Sequence, residues 1–263
     1  MSTTARIYSS ESSHYYHPDG RACYEVPKAD GKGMRKTNVA DARKLKLLPS
    51  VSTCLSILSK PALESWKIEQ AVLAIATAQR LPNEPDDAFI HRVLSVERQH
   101  EQESDNAKNL GTDIHDAIES AVNGRQCPDE MRVYVDPVLE HLRGLNGKVL
   151  FTERILVGDG YAGRGDLVFQ CEDHVRFYDW KTAKNIPDKS YVEHRLQLAA
   201  YTKAIDKEIP GAKRNFNIYI SKSEPGKIAV IENENWEDTY ERGFKPLVKY
   251  WYWLNNVTEV VNG

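Results

Sequence analysis

Residues 161–168, YAGRGDLV, followed at residues 177–182 by FYDWKT, form the stretch of sequence that decides the fold. Both segments show the apolar, β-branched and aromatic content of strands, and each carries one acidic residue, Asp166 or Asp179. We expect Asp166 near the start of its strand and Asp179 near the end of the next. Antiparallel pairing would then bring the two carboxylates together at one edge of a sheet. Lys181 shares the face of Asp179, because side chains two residues apart on a strand point the same way.

Two carboxylates and one ammonium group at this spacing suit metal-assisted cleavage of phosphodiesters. Neighbouring carboxylates raise each other's pKa unless a cation lies between them, and Mg²⁺ binds through carboxylates, waters and a substrate phosphate. Lys181 can orient the attacking water, help to deprotonate it, or stabilise negative charge in the transition state. The alternative interpretation is that Asp166 and Asp179 are turn or surface acids with a solvated lysine. An Asp-Trp-Lys tripeptide at the end of an apolar run is locally costly, which favours a functional role.

The second half of the chain predicts an α/β core with the order helix, three strands, helix, strand. The C-terminal stretch, residues 235–254, is predicted to be helical, with its aromatic side chains packed in the core. The three consecutive strands, the following helix and the later strands are expected at 149–157, 163–171, 175–180, 190–207, 215–221 and 228–232. The C-terminal aromatic residues are Trp236, Tyr240, Tyr250, Trp251, Tyr252 and Trp253.

The first half of the chain is predicted to be irregular up to residue 48, apart from a hairpin around residues 22–26, and mostly helical from residue 49. Ser50 and Ser52 are candidate helix caps. Pro61 suits the first turn of a second helix, which carries Leu63, Trp66 and Ala71. Residues 86–123 predict one long helix or two abutting ones, interrupted at Gly111, and a further helix is expected at residues 136–145. We therefore expect segments 1–48, 49–147 and 148–263, forming one compact domain overall.

Composition bounds the class of protein without naming its partner. The chain has 263 residues, 41% of them hydrophobic and 28% charged, with a formal net charge of −3, which is typical of a globular protein. No apolar run approaches the ~18 residues of a membrane span, and the first residues lack the apolar segment of a secretory signal. The four cysteines form no CxxC pair, so we expect reduced thiols in a cytoplasmic protein rather than a zinc ribbon or a disulfide framework. A mildly acidic chain is unusual for a DNA-binding protein, although an acidic metal site contributes part of that charge.

Taken together, these stretches make the sequence resemble the PD-(D/E)xK nuclease superfamily. The resemblance is to its RecB-like branch, and within that branch to the group of the mitochondrial genome maintenance exonuclease and related phage and bacterial exonucleases. It spans about residues 49–221. The matching stretches are residues 49–52, the helix at 63–67, residues 110–115 (LGTDIH) with Glu119, residues 163–166, residues 179–182, and Gln197 with Tyr201.

The resemblance implies roles for individual residues. His115, Asp166, Asp179 and the backbone carbonyl of Trp180 would be ligands of Mg²⁺ or Mn²⁺, and Lys181 would be the catalytic lysine. The residues implied to support the site or to contact DNA are Glu119, Glu153, Arg164, Thr182, Gln197 and Tyr201. Glu119 lies four residues after His115 on one helical face and would orient its ring. Glu153 would tune the metal site or bind a second ion, or else form a salt bridge with Arg154 or Arg164.

The implied function is a deoxyribonuclease, an exonuclease on single-stranded DNA or DNA ends, in which the helical region at 49–147 covers the active site. It would serve recombination, repair or replication in a bacterium or a phage-infected cell. Its partners would be DNA and a single-strand annealing or other recombination protein, with no membrane. No cysteine follows Cys171, which argues against the iron–sulfur cluster of some relatives. The sequence also lacks a GxxxxGK[ST] phosphate-binding loop, so we expect no use of ATP. The alternatives are a structure-specific or restriction-type endonuclease on the same core, and a catalytically silent DNA-binding module.

Overall fold

A computed structural model of the chain describes residues 14–59 and 61–260. The side chains that it leaves undescribed within its helices are those of residues 61–63, 66–67 and 94–109. The polar start of the chain and the side chains of Leu63 and Trp66, which entered the sequence prediction, therefore lie outside the described residues.

The described chain divides into two compact units. One unit contains the residues up to 57 together with those from 117 onward, and the second contains residues 58–116. The division at residues 48 and 147, suggested by the sequence, stays a prediction.

Regular elements occupy much of the chain between residues 14 and 48, so the prediction of an irregular segment was wrong for this described part. Its elements are β1 (Tyr15–Tyr16), β2 (Glu25–Pro27), β3 (Met34–Lys36), α1 (Val39–Leu45) and β4 (Leu48–Pro49). β2 and β3 form a hairpin further along the chain than the one expected near residues 22–26, and β1 pairs with β4. Helix α1 has only 7 residues, which is too short to show a clear helical repeat of apolar residues in the sequence. It begins at a capping box between Asn38 and Asp41.

Helix α2 (Val51–Leu55) begins at Ser50. The Ser50 hydroxyl accepts a hydrogen bond from the Thr53 backbone N–H at 2.9 Å, which satisfies one of the unpaired donors of the first turn. Ser52, the other candidate cap, instead bonds through its hydroxyl to Ser50 Oγ at 2.9 Å. Of the two predicted caps, Ser50 is therefore the one that caps.

The unit of residues 58–116 contains helix α3 (Pro61–Thr77) and most of helix α4 (Asp86–Val122). As predicted, Pro61 opens its helix. The predicted interruption at Gly111 was wrong, because α4 is one long helix that continues through this residue. The connection between them is held by Glu84, which accepts from the Leu81 N–H at 3.1 Å and pairs with Arg92 at 2.8 Å. Among the helices that the structure describes, none combines the length and apolarity needed to cross a membrane.

The other unit is built on a sheet in which, among the described residues, five strands pair in chain order. The elements that follow helix α5 (Arg132–Arg143) are β5 (Gly147–Gly158), β6 (Tyr161–Cys171), β7 (His174–Ala183), α6 (Val192–Ala204), β8 (Ala212–Ser221) and β9 (Ile228–Asn233). Strands β5, β6 and β7 are antiparallel; helix α6 then crosses over to β8, which is parallel to β7, and β9 is antiparallel to β8. The predicted order of helix, three strands, helix, strand is confirmed.

The C-terminal stretch is helical, through α7 (Trp236–Asp238), a π-helical turn (Thr239–Phe244) and α8 (Lys245–Leu254). Trp236, Tyr240, Trp251 and Tyr252 are buried as predicted. The expectation was wrong for two aromatic residues, because Tyr250 is 46% and Trp253 73% exposed. They lie three residues apart on the outer face of α8 and stack on each other, with ring centroids 5.5 Å apart.

The cap of α2 makes a testable prediction. Ser50→Ala should lower the free energy of unfolding by ~1 kcal/mol, because it leaves the Thr53 N–H unsatisfied in a buried place. Ser52→Ala is the matched control: it removes a neighbouring hydroxyl and keeps the cap, so its effect should be smaller. Urea unfolding of the three proteins measures both changes. Equal losses for the two variants would contradict the assignment of Ser50 as the cap.

Candidate active site

Strands β6 and β7 separate beside Asp166 and Asp179. Their cross-strand pairing ends at Leu167 and Tyr178, whereas each strand stays paired with its outer neighbour beyond that point. The Asp166 side chain occupies the opening, where its Oδ2 accepts a hydrogen bond from the Trp180 backbone N–H at 2.8 Å. A donor that lacks a strand partner is thus satisfied by the acid on the neighbouring strand.

Both acids lie in mid-strand, so the predicted positions near the start of one strand and the end of the next were wrong. The strands extend beyond their apolar runs, because β6 continues as a hairpin with β5 and β7 continues alongside β8. Asp166 and Asp179 still converge, but at the fork of β6 and β7 within the sheet rather than at its edge.

Lys181 lies against Asp179. The ammonium Nζ is 2.8 Å from Asp179 Oδ2 and 3.0 Å from Oδ1. Asp179 is 1% exposed and the lysine side chain 20% exposed, so the ion pair is largely shielded from water. Burial lowers the pKa of Lys181, but the charges of Asp179 and Asp166 outweigh it and raise that pKa above its ordinary value. The lysine is therefore a cation that pairs with Asp179 and is further stabilised by the charge of Asp166.

The negative charge of Asp166 has fewer partners than that of Asp179. Burial raises the pKa of its carboxyl, although the Lys181 charge and the Trp180 N–H act in the opposite direction. Its Oδ2 is hydrogen-bonded to Trp180, and its Oδ1 accepts no hydrogen bond from the described residues. One carboxylate oxygen at the fork is therefore available to a cation.

Helix α6 places Gln197 and Tyr201 next to the lysine. Lys181 Nζ donates to Gln197 Oε1 at 3.0 Å, and Gln197 Nε2 lies 3.1 Å from the Tyr201 hydroxyl, to which it donates. An ammonium group can only donate, so the carbonyl end of the Gln197 amide must face it. Burial raises the pKa of Tyr201, which keeps it a neutral phenol. The two residues are four apart and share one helical face, as the sequence predicts.

Gly163 makes room for this arrangement. A Cβ at residue 163 would lie 2.6 Å from Tyr201 Cε1, well inside van der Waals contact. At Gly165, two residues along the strand, a Cβ would meet the end of the Leu156 side chain at 3.0 Å. The glycine at 163 therefore allows the tyrosine ring to lie directly on strand β6.

The charged residues around the fork pair with one another. Arg164 Nε is 2.6 Å from Glu153 Oε2, so one of the two salt bridges considered for Glu153 is present. The other is absent from the described ion pairs, because Arg154 pairs with Glu208 at 2.7 Å. Thr182 is half-buried on β7, beside Ile220 of β8.

His115 and Glu119 lie on helix α4. His115 is half-buried and belongs to the unit of residues 58–116. Glu119 pairs with Arg125 at 2.7 Å. The role of His115 as a metal ligand, and that of Glu119 in orienting it, stay predictions.

Two residues of the site were missed by the sequence reasoning. Asn217 Nδ2 donates to Asp179 Oδ2 at 2.9 Å, and Asn233 Nδ2 donates to Asn217 Oδ1 at 2.8 Å. Both asparagines are buried. A signal was present in the sequence, because Asn217 lies among the apolar residues of β8 and Asn215 precedes it at two-residue spacing, which places both amides on one face of the strand.

The sequence profile of the PD-(D/E)XK nuclease superfamily matches the stretch that begins in α5 and ends in α8. Residues 139–247 carry a PD-(D/E)XK nuclease superfamily domain. This nuclease domain contains the fork, Lys181, Gln197, Tyr201 and Asn217, and its mixed α/β sheet confirms the predicted fold class.

Among solved structures, the crystal structure of SSO0001 is 18% identical to this chain, with a TM-score of 0.31. The match covers 48% of this chain and 61% of that one, so it spans about three fifths of the protein SSO0001. A search of the curated proteins finds no match.

The nuclease domain raises the question of a divalent metal. Within residues 14–59 and 61–260, no group of three or more histidine, cysteine, aspartate or glutamate side chains is arranged to hold a metal ion. Mg²⁺ needs fewer protein ligands, since it binds through one or two carboxylates and completes its shell with waters and substrate phosphates. Asp166 and Asp179, with one oxygen of Asp166 available, fit that requirement.

The contact between Gly163 and Tyr201 predicts the effect of one added methyl group. Gly163→Ala should push the Tyr201 ring off strand β6 and cost ~1–3 kcal/mol of stability, the usual range for overpacking. Because Tyr201 holds Gln197, the substitution should also disturb the Lys181 contact. Gly165→Ala is the matched control, since the flexible end of Leu156 can move aside. Thermal unfolding and a crystal structure of each variant measure the effects, and a larger loss for Gly165→Ala would contradict the prediction.

Proposed function

We propose that this chain is a metal-dependent nuclease that hydrolyses phosphodiester bonds in DNA. The observation that carries the proposal is the convergence of Asp166, Asp179 and Lys181 at the fork of β6 and β7. The match of residues 139–247 to a nuclease superfamily supports it independently. Two acids and one lysine in a shielded place, with a carboxylate oxygen available, suit a reaction at a phosphate.

Asp166 and Asp179 would hold the ion, Mg²⁺ or Mn²⁺, with the Trp180 carbonyl as the further ligand that the resemblance implies in this unit of the chain. A divalent ion bound there supplies Lewis acidity, polarising the phosphate and lowering the pKa of a water. We propose that the reaction requires neither an iron–sulfur cluster nor ATP.

Lys181 supplies a fixed positive charge beside the acids. Its ammonium group is held from two sides, by Asp179 and by the Gln197 carbonyl, so it does not need to reorganise when negative charge develops on the phosphate. Tyr201 holds the Gln197 amide from behind. We propose that this preorganised ammonium stabilises the transition state.

For the substrate, we propose single-stranded DNA or DNA ends and an exonucleolytic reaction, in recombination, repair or replication. The support is the resemblance to RecB-like exonucleases. The proposed setting is the cytoplasm of a bacterial or phage-infected cell, where a single-strand annealing or other recombination protein is the candidate partner. The four cysteines are free and buried, in keeping with a reducing compartment.

The first test separates the roles of the acids and the lysine. Asp166→Asn and Asp179→Asn should lose both Mn²⁺ binding and cleavage. Lys181→Met should keep Mn²⁺ binding, because it removes a cation that competes for Asp179, yet slow cleavage at least about 100-fold, the usual loss for one electrostatic group. Calorimetric Mn²⁺ titration and digestion of end-labelled DNA, with and without chelator, measure the two properties.

Gln170→Met is a matched control for these variants, since it changes a half-buried polar residue on β6, outside the fork, without altering charge. Wild-type rates in Lys181→Met or Asp179→Asn would refute the proposed site. Absence of cleavage by the wild-type chain on any DNA, with intact metal binding, would favour the catalytically silent module instead.

A second test concerns the mode of cleavage. An exonuclease needs an end, so linear single-stranded DNA should be degraded to short products while a closed circle of the same sequence stays intact. Prior nicking of the circle with an unrelated endonuclease should make it a substrate and serves as the control. Cutting of the closed circle at a comparable rate would instead show an endonuclease on the same core.

A further inference from the structure

A line of three buried polar side chains crosses strands β7, β8 and β9. Asp179 and Asn217 are register partners on the parallel strands β7 and β8, so their side chains share a face of the sheet. Asn217 Nδ2 donates to Asp179 Oδ2 at 2.9 Å, and Asn233 Nδ2 donates to Asn217 Oδ1 at 2.8 Å. The candidate site is thereby linked to the outer strand β9 by two hydrogen bonds.

The orientation of the Asn217 amide matters, because its two ends differ in polarity. An ionised carboxylate can only accept hydrogen bonds, so the Nδ2 end must face Asp179. With the amide reversed, the carbonyl oxygen would face the carboxylate and repel it. Asn233 prevents this reversal, since its Nδ2 donates to the Asn217 oxygen and holds that end away from Asp179.

We infer that Asn217 is a positioning residue for Asp179, and that Asn233 acts through Asn217. The inference rests on the proposed function and deepens it. Asn217 and Lys181 both contact Asp179 Oδ2, which fixes the rotation of a carboxylate that has to meet a divalent ion. Partners behind a metal-binding carboxylate set its orientation and therefore the affinity for the ion.

Asn215 shows that a buried asparagine on this strand does not by itself serve the acid. It lies two residues before Asn217 on β8 and is equally buried. Its Oδ1 accepts from Thr202 Oγ1 of α6 at 2.7 Å, and its Nδ2 has no hydrogen-bond partner among the described residues. Asn217, by contrast, has its amide committed at both ends, with the charged partner at the Nδ2 end.

The experiment uses the full chain and four variants: Asn217→Ser, Asn233→Ser, the double variant, and Asn215→Ser as the matched control. Serine keeps a polar group but is too short to span either amide contact. The readouts are the Mn²⁺ dissociation constant by calorimetry, the Mn²⁺ concentration for half-maximal cleavage of single-stranded DNA, and the unfolding temperature.

Asn217→Ser should weaken Mn²⁺ binding about 10–100-fold, the usual effect of removing a partner behind a ligand. The Mn²⁺ concentration for half-maximal cleavage should rise by the same factor, while the rate at saturating Mn²⁺ stays close to that of the wild type. Asn233→Ser should show a smaller loss of the same kind. The double variant should be no worse than Asn217→Ser, because the two residues act in series. Asn215→Ser should bind Mn²⁺ normally, even where its unfolding temperature falls.

Wild-type Mn²⁺ affinity in folded Asn217→Ser, or an equal loss in Asn215→Ser, would overturn the inference and leave the proposed function standing. If Asn217→Ser does not fold, Asn233→Ser tests the inference instead, because it should also weaken Mn²⁺ binding. A wild-type chain that neither binds Mn²⁺ nor cleaves DNA would overturn the proposed function and this inference together.

Discussion

The candidate site depends on the charge balance at the fork of β6 and β7. Two carboxylates and one ammonium group lie there, largely shielded from water, so the fork carries an excess of negative charge. Shielded charges of this kind are tolerated where each is paired or hydrogen-bonded. The Trp180 N–H, the Lys181 ammonium and the Asn217 amide meet that requirement for three of the four carboxylate oxygens, and the remaining oxygen, Asp166 Oδ1, is where a cation would restore the balance.

The crossover between two parallel strands supplies the other wall of the site. β7 and β8 are parallel, so the chain must pass across the sheet between them, and it does so as helix α6. That requirement brings Gln197 and Tyr201 over the lysine. It also explains the absence of a side chain at Gly163, since the Tyr201 ring needs the surface of β6. Topology and site chemistry thus share the same residues.

The polar side chains of β8 show that stability and function make different demands on one strand. Asn215 and Asn217 replace apolar residues in the buried face, where each amide loses water and must find partners. Asn217 finds them in Asp179 and Asn233, whereas the Nδ2 end of Asn215 has no hydrogen-bond partner in the part of the chain that the structure describes. The cost of burying such groups is a reason to expect that the paired one serves the neighbouring acid.

The sequence by itself determined the α/β order, the strands that carry Asp166 and Asp179, and the helix that carries Gln197 and Tyr201, because these features follow from local periodicity and spacing. It also indicated Lys181 as the neighbour of Asp179. Only the tertiary structure decided that the acids meet at a fork inside the sheet, that Arg164 rather than Arg154 pairs with Glu153, and that Asn217 and Asn233 stand behind Asp179. Those facts depend on strand register and on pairing between residues distant in the chain. Short-range patterns carry no information about either.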